Sequence, residues 1–414
     1  MLERDPTIVA PGAVRLVPRR RRISALTLFG PAFVASVAYV DPGNLATDVT
    51  GGARFGNELL WVVVLANLIA MLVQYLSAKL GIATGRNLSE LCRERYRPAA
   101  RIALWSQAEL IIIMTDLAEV VGGALGLRIL FGVPLPAGGV LTALGMLLIL
   151  LVQQRGRRAF EAVVVALLSV VLLAFLYQLS QARLSVTEVL GGLSPRLSGP
   201  DAVLLACGIV GATVMPHAIY LHGGLTQQFG PGQDKAFALR MTRWDVVVAL
   251  GLAGLVNIAI LLGATVLRGH EGDSLITAHA ALAHRLGVLA GDTFGIALLA
   301  SGLAASAVGV YSGQIVMRGF LRRSIPLWLR RVVAAAPAVA ILVIGVDPTK
   351  ALVASQVALS FGLPFALIPL LIMTRDRKLM GKLVNRKGTA LAAGAAAALI
   401  IGLNAWLVVT AVWT

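Results

Sequence analysis

Two short polar runs, each containing a proline, interrupt stretches that are otherwise apolar. The first is Asp-Pro-Gly-Asn, which contains Asp41 and Asn44, and the second is Met-Pro-His, which contains Met215 and His217. A carboxylate, an amide oxygen and a thioether form a mixed site, because Mg²⁺ and Ca²⁺ prefer oxygen alone while a thioether favours softer metals. The two runs therefore predict a site for divalent Mn²⁺ or Fe²⁺ that also admits soft Cd²⁺.

The prolines also release backbone oxygens beside these side chains. Proline has no N–H and disrupts the preceding helical turn. The carbonyl of Ala212 therefore loses its helical partner at Pro216, and the carbonyl of Ala38 loses its partner at Pro42. Both carbonyls become available as further oxygen ligands where the helices unwind.

The surrounding composition predicts an all-α polytopic membrane protein. The chain is 58% hydrophobic and 14% charged, which is atypical of a soluble protein of 414 residues. Apolar runs of membrane-spanning length occur eleven times. They cover residues 27–52, 58–82, 102–131, 136–153, 158–180, 201–226, 244–267, 290–317, 328–346, 350–373 and 389–412. The polar runs interrupt the first and the sixth of these segments.

The basic residues are distributed as in a multi-pass protein of the cell membrane. With the N-terminus inside, 28 of the 36 Lys and Arg residues fall in the basic tail 1–26 and the inner loops, and 7 fall in the outer loops. This bias is the positive-inside signature and predicts a cytoplasmic N-terminus and an external C-terminus. It accounts for the net charge of +16 without a nucleic-acid partner. The expected surroundings are the lipid bilayer.

The spacing of the two interrupted segments predicts an inverted repeat. The second interrupted segment comes five segments after the first, so a unit over 201–373 is inverted relative to a unit over 27–180, and the last segment, 389–412, lies outside both. In such 5+5 repeats the substrate binds near the midplane, where the broken helices meet.

Three acids in the third segment predict a route for protons. Glu109, Asp116 and Glu119 are spaced by seven and three residues and share roughly one helix face. Intramembrane acids are costly unless they face water or a partner, and Arg330 and Arg331 are candidate partners. For Asp116 and Glu119 a proton pathway is favoured over structural ion pairing.

Other titratable groups leave more than one interpretation open. For Glu109 a structural role in the outer leaflet is as well supported as a place in the pathway. The pKa range of His217 suits proton transfer, with a hydrogen-bonded core residue as the alternative. His222, nearer the inner end, has equal support for either role.

The motifs together resemble those of the Nramp (natural resistance-associated macrophage protein) family of metal transporters. Asp-Pro-Gly-Asn with Met-Pro-His is similar to the signature pair of that family, and residues 313–319, Gly-Gln-Ile-Val-Met-Arg-Gly, are similar to its transport motif. Thr115-Asp116-Leu-Ala-Glu119 and Ser355-Gln356 also match. The resemblance covers essentially the whole chain.

The resemblance implies a LeuT-type fold and proton-coupled import of Mn²⁺ and Fe²⁺ by alternating access. By matching position, it implies metal ligation by Asp41, Asn44, Met215 and the carbonyl of Ala212, joined in some conformations by the carbonyl of Ala38 and by Gln356. Metal ions and protons are then transported substrates. No resident cofactor and no obligate protein partner are expected.

Three other functions are alternatives to a metal importer. An organic-solute symporter on the same fold is disfavoured because Asp41 would repel a substrate carboxylate. An intramembrane enzyme is disfavoured because the sequence has neither a His-Glu-x-x-His zinc motif nor a Gly-x-Ser-x-Gly nucleophile elbow. A passive cation channel differs from a symporter in having no proton flux tied to metal flux.

Overall fold

The computed structural model describes residues 30–154, 157–182, 185–229, 234–268 and 274–413. The predicted basic tail 1–26 lies outside the described residues. The described chain is helical almost throughout, with short loops between the helices. Its α-helices are α1 Pro31–Ser36, α2 Pro42–Phe55, α3 Leu60–Thr84, α4 Leu88–Arg95, α5 Pro98–Phe131, α6 Leu135–Gln154, α7 Arg157–Gln181, α8 Val186–Gly191, α9 Pro200–Val214, α10 Pro216–Thr226, α11 Lys235–Ala264, α12 Leu275–Leu286, α13 Val288–Leu321, α14 Leu327–Ile344, α15 Pro348–Arg375, α16 Arg377–Met380 and α17 Lys387–Trp413.

These helices correspond in position to the eleven apolar segments. Within the described residues, eight helices, counting α9 and α10 together, are long and apolar enough to cross a membrane. Three shorter apolar helices occupy the remaining segments, at Pro31–Val40, Leu135–Ile149 and Val165–Gln181. The all-α membrane class is therefore confirmed. The count of eleven spans and the division into two repeat units with a separate last helix stay predictions.

The first interruption separates α1 from α2. After α1 the chain forms a 3₁₀ turn over Val37–Val40, and Asp41 then adopts an extended conformation with φ −82° and ψ 164°. Pro42 occupies the first position of α2, where a missing N–H costs nothing because the first N–H groups of a helix have no intrahelical partner. The proline thus ends one half-helix and begins the next.

The second interruption separates α9 from α10 at a single residue. Met215 has φ 42° and ψ 103°, a left-handed conformation that is uncommon for a residue with a side chain. Pro216 begins α10 directly after it. The surrounding packing maintains the strained backbone, since Met215 is fully buried.

Glycines of the motif at 313–319 allow α13 to approach its neighbours closely. A Cβ atom at Gly313 would collide with the guanidinium group of Arg330 on α14. One at Gly319 would lie 3.2 Å from Oδ1 of Asn87, the residue whose side chain caps α4. The motif therefore helps to position an arginine that the sequence placed beside the acids of α5.

The last helix, α17, is tied to α15 by two hydrogen bonds from one side chain. Oγ of Ser360 donates to Oδ1 of Asn404 at 2.7 Å, and Nδ2 of Asn404 donates to the carbonyl of Ser360 at 2.9 Å. Ser360 follows Gln356 by four residues, about one helical turn. The helix predicted to lie outside the repeat therefore supports the helix that carries a predicted ligand.

Candidate metal site

Asp41 forms the centre of the first interruption. Its Oδ1 accepts a hydrogen bond from the backbone N–H of Asn44 at 2.8 Å and so caps α2. Its Oδ2 is buried and has no hydrogen-bond partner among the described residues. One carboxylate oxygen thus holds the backbone in its unwound form while the other is free to bind a ligand.

Asn44 presents its amide oxygen beside this carboxylate. Nδ2 of Asn44 donates to the carbonyl of Tyr39 at 2.6 Å, whereas Oδ1 is buried without a partner in the described part of the chain. The carbonyl accepts only a donor, so it fixes which end of the amide faces it. The oxygen is therefore left available as a ligand.

Gln356 approaches the first interruption from α15. A Cβ atom at Gly43 would lie 3.0 Å from Cγ of Gln356, so only glycine allows this side chain to cross the start of α2. Nε2 of Gln356 donates to Oγ of Ser355 at 2.9 Å, and Oε1 has no partner among the described residues. As in Asn44, the amide nitrogen is engaged and the amide oxygen is left as a free acceptor among the described residues.

The second interruption lies against the same stretch of α15. A Cβ atom at Gly211 would lie 3.1 Å from Cα of Ser360, which places the end of α9 next to Gln356. Ala212 and Met215, which end this half-helix, are fully buried. Because Pro216 lacks an N–H, the carbonyl of Ala212 has no donor at the usual helical position.

The predicted ligand residues therefore come from two broken helices and α15, which pack together. Asp41, Asn44, Ala212, Met215 and Gln356 are fully buried, and Ala38 is 2% exposed. Three of their side-chain oxygens have no partner in the described residues. Orphaned buried oxygens are costly, and a bound cation would satisfy them. The assignment of these residues as metal ligands stays a prediction.

His217 connects the second interruption to the acidic helix α5. Its Nδ1 lies 3.3 Å from Oγ1 of Thr115, the residue before Asp116. Its Nε2 is buried and unpartnered within the described chain. The imidazole therefore has one nitrogen held against α5 and one nitrogen free for exchange with water or a ligand.

Asp116 and Glu119 share a single arginine. Arg331 on α14 pairs with Asp116 and, through Nη2 at 3.2 Å, with Oε2 of Glu119. A Cβ atom at Gly309 would lie 3.2 Å from Oδ1 of Asp116 and 3.3 Å from Oε1 of Glu119, so α13 closes over the acids. One guanidinium carries a single positive charge, so it cannot neutralise two buried carboxylates. An additional proton or cation is required when both acids are enclosed.

Glu109 is paired as well, and its leaflet stays a prediction that depends on the orientation of the chain. Nη2 of Arg330 lies 2.5 Å from Oε2 of Glu109, and Arg330 is in the first turn of α14. The starts of α5 and α14 lie at one end of the molecule, where Arg93 donates to the carbonyl of Gly319. That end is the one the charge bias assigns to the inside. Glu109 lies about three turns into α5, which begins at Pro98 on that side.

His222 belongs to a second polar chain, which leads back to the first interruption. Its Nδ1 lies 3.0 Å from Oε1 of Gln74 on α3, and Nε2 of Gln74 donates to the hydroxyl of Tyr39 at 2.7 Å. Tyr39 is the residue whose carbonyl orients Asn44. A structural role in orienting the site is therefore open to His222 beside a role in proton movement.

Asp48 is a buried acid that the sequence analysis missed. It lies seven residues after Asp41 on α2, and neither carboxylate oxygen has a hydrogen-bond partner in the described chain. One turn further, Gly52 packs on α11, where a Cβ atom would lie 2.8 Å from Cβ of Ala264. This packing of α2 on α11 places Asp48 at about the same height along the helix pair as Asn257. The buried amide of Asn257 is also unpartnered among the described residues. The available signal was an ionisable residue within an apolar segment.

The fold and the site define a transporter with the LeuT-type fold, in which substrates bind where interrupted helices meet. A crystal structure of a manganese transporter of Eremococcus coleocola matches with a TM-score of 0.81 and 34% identity, over 92% of this chain and 85% of that chain. Mhp1, a nucleobase-cation-symport-1 family transporter, shares the fold with a TM-score of 0.61 and 16% identity, over 92% of this chain and 93% of that chain. The expected fold class is therefore confirmed.

The family follows from the sequence comparisons. The model for natural resistance-associated macrophage protein-like sequences, Nramp, matches residues 32–410, and the chain belongs to this family. The divalent metal cation transporter MntH of Mycobacterium tuberculosis is 48% identical over 388 residues, which are 92% of this chain and 91% of that relative. The resemblance inferred from the motifs is thereby confirmed.

Proposed function

We propose that this protein imports divalent transition metals, Mn²⁺ and Fe²⁺ and also Cd²⁺, together with protons by alternating access. The main support is the set of buried, unpartnered oxygens of Asp41, Asn44 and Gln356, together with the buried Met215 that ends the adjoining half-helix. Relatives named as a divalent metal cation transporter and a manganese transporter support the same substrate class. The metal and the proton are substrates of this process, and no resident cofactor is required.

The ligand set favours transition metals over alkaline-earth ions. Asp41 supplies the negative charge, and Asn44, Gln356 and the carbonyl of Ala212 supply neutral oxygens. Mg²⁺ and Ca²⁺ gain nothing from the thioether of Met215, whereas softer ions do. In other conformations the carbonyl of Ala38 is a further ligand. Since the ligand residues are buried here, transport requires the half-helices to move and open the site to one side at a time.

Protons are proposed to travel along α5 rather than along the route taken by the metal. A metal ion beside Asp41 favours its ionised form, so a proton held there in the empty site must leave. His217 is two residues from Met215 and contacts Thr115, beside Asp116. Asp116 and Glu119 share Arg331 and together can hold an additional proton. Arg330 and its partner Glu109 are the next charged residues toward the predicted inner end of α5.

The competing functions are separated by one measurement. Purified protein in proteoliposomes should take up Mn²⁺, Fe²⁺ and Cd²⁺ from a panel of metals while a trapped dye records internal acidification. Metal uptake without proton flux would favour a passive cation channel. Uptake of an amino acid with no response to any metal would favour an organic-solute symporter. An enzymatic function lacks support, since the relatives are named as transporters.

Met215 is expected to determine which metal ions the site prefers rather than whether the site binds a metal ion at all. In Met215→Ala the oxygen ligands remain, so part of the Mn²⁺ transport should persist while Cd²⁺ affinity falls roughly tenfold. Discrimination against Ca²⁺ and Mg²⁺ should also weaken. The measurement is competition of Ca²⁺ and Cd²⁺ with Mn²⁺ uptake. An unchanged preference for Mn²⁺ over Ca²⁺ in this variant would show that the thioether does not contribute to selectivity.

The proposed orientation places the N-terminus in the cytoplasm and the C-terminus outside the cell membrane. Single cysteines at Arg97 and Lys382 should react with a membrane-impermeant reagent only from the cytoplasmic side, and one at Ser194 only from outside. All three positions are exposed, and the native Cys92 and Cys207 are buried, which keeps the background low. Labelling of Arg97 and Ser194 positions from one side would refute this topology.

A further inference from the structure

A basic cavity lies at the inner end of the molecule, away from the metal site. It has a volume of about 490 Å³ and is formed where α13 ends, next to α4 and the start of α5. Four arginines line it, together with one acid. The arginines are Arg93, Arg101, Arg322 and Arg323, and the acid is Glu94. No step of metal or proton transport proposed above uses these residues.

The positive charge of this cavity is largely uncompensated. Glu94 is already paired with Arg86, 2.5 Å away. Within the part of the chain that the structure describes, no carboxylate pairs with Arg101, Arg322 or Arg323. Nε of Arg101 is buried and has no hydrogen-bond partner among the described residues. A buried donor of a charged group without a partner is costly, and an anionic acceptor would satisfy it.

One of the arginines is held in a fixed position. The guanidinium group of Arg93 donates to the carbonyl of Gly319 and lies 3.3 Å from the carbonyl of Arg318, both in the last turn of α13. Arg322 ends that helix in a left-handed conformation with φ 55°. The C-terminal carbonyls of α13 therefore fix the position of Arg93, one of the donors of the cavity.

The neighbouring side chains place this cavity at the membrane surface. Trp328, in the first turn of α14, is 60% exposed, and Ile102, in the second turn of α5, is 49% exposed. Exposed tryptophan marks the interface between lipid and water, and the exposed aliphatic side chain marks the start of the lipid-facing surface. The arginines therefore lie at the depth of lipid headgroups.

We propose that this cavity binds the phosphate group of an anionic phospholipid of the inner leaflet. The planar guanidinium groups form bidentate hydrogen bonds with phosphate oxygens, and basic pockets between helices at the cytoplasmic side suit acidic headgroups. The acyl chains would extend along the lipid-facing side chains that begin with Ile102 and Trp328. The proximity of this apolar surface favours a lipid over free phosphate as the occupant.

The test is native mass spectrometry of the full-length protein titrated with phosphatidylglycerol or with phosphatidylcholine of the same chain length. The wild type should bind phosphatidylglycerol at least about tenfold more tightly. Arg101→Gln/Arg323→Gln should lose this preference. Arg377→Gln/Lys378→Gln removes the same charge from an exposed helix at the same end and should retain it. The single variant Arg323→Gln, at an exposed position, should lose part of the preference for phosphatidylglycerol. It replaces the double variant in the test if the double variant does not fold.

Three results would overturn the proposal. Equal binding of the two lipids by the wild type would exclude a headgroup site, as would an unchanged preference in the variants of the cavity. Inorganic phosphate at 10-fold excess over lipid should leave phosphatidylglycerol bound. Displacement by phosphate alone would identify a site for free anions instead. None of these outcomes depends on which metal is transported.

Discussion

Replacement of Asp41 by alanine should abolish high-affinity Mn²⁺ binding and transport. Asp41 is the charged member of the proposed ligand set, and its Oδ2 is buried without a partner in the described chain. Loss of an outer-shell partner alone costs about 10–100-fold in metal affinity, so loss of a charged ligand should cost at least about 100-fold. Isothermal calorimetry on the purified protein measures binding, and uptake into proteoliposomes measures transport.

The matched control is Asp48→Asn on the same half-helix. Asp48 is also a buried carboxylate without a partner among the described residues, but it lies two turns beyond the interruption. Its substitution should change Mn²⁺ affinity far less than Asp41→Ala. If both variants lose binding equally, the site depends on buried negative charge and not on ligation by Asp41. Binding of Mn²⁺ to Asp41→Ala with wild-type affinity would refute the assigned site.

Replacement of Asp116 by asparagine should suppress proton flux while most of the metal binding remains. In the wild type, two buried carboxylates share Arg331, and an additional proton completes their neutralisation. In Asp116→Asn, the negative charge of Glu119 and the positive charge of Arg331 cancel, so the pair no longer requires the additional proton. Mn²⁺ affinity should stay within about threefold because Asp116 is not a proposed ligand. The proton flux that accompanies metal uptake should fall by about 100-fold, the lower end of the usual contribution of a proton-transfer group.

Metal uptake and internal acidification have to be measured in the same vesicles. Asp201→Asn is a suitable control, because Asp201 forms an exposed ion pair with Arg54, and such pairs contribute little. A wild-type ratio of protons to metal in Asp116→Asn would contradict a separate proton route. So would a loss of metal binding as complete as that of Asp41→Ala.

Local signals in the sequence were sufficient for the interruptions and for most of the fold class. Proline removes a donor wherever it occurs, so Pro42 and Pro216 mark the ends of half-helices without knowledge of their neighbours. Long apolar runs likewise require helices in a bilayer, because every backbone polar group must be satisfied within the segment. The family motifs could be recognised for the same reason, since each is a short run of adjacent residues.

Interactions between distant segments were decided by the tertiary structure alone. The sequence offered two arginines and three acids, and only the packing of α14 on α5 assigned Arg330 to Glu109 and Arg331 to the other two. The same contact places Glu109 near the starts of α5 and α14, at the end that the charge bias assigns to the inside. Pairing at such separations depends on helix register and rotation, which residue type and spacing do not determine.

The sequence by itself determined which atoms could bind a metal, and the tertiary structure decided which of them remain free. The amide of Asn44 can present either end, and the carbonyl of Tyr39 selects the nitrogen and leaves the oxygen. Gln356 reaches the first interruption only because Gly43 has no side chain. Asp48 could accept hydrogen bonds at both carboxylate oxygens, yet neither has a partner among the described residues. Donor and acceptor capacity is a property of each residue, whereas satisfaction of that capacity is a property of the packed chain.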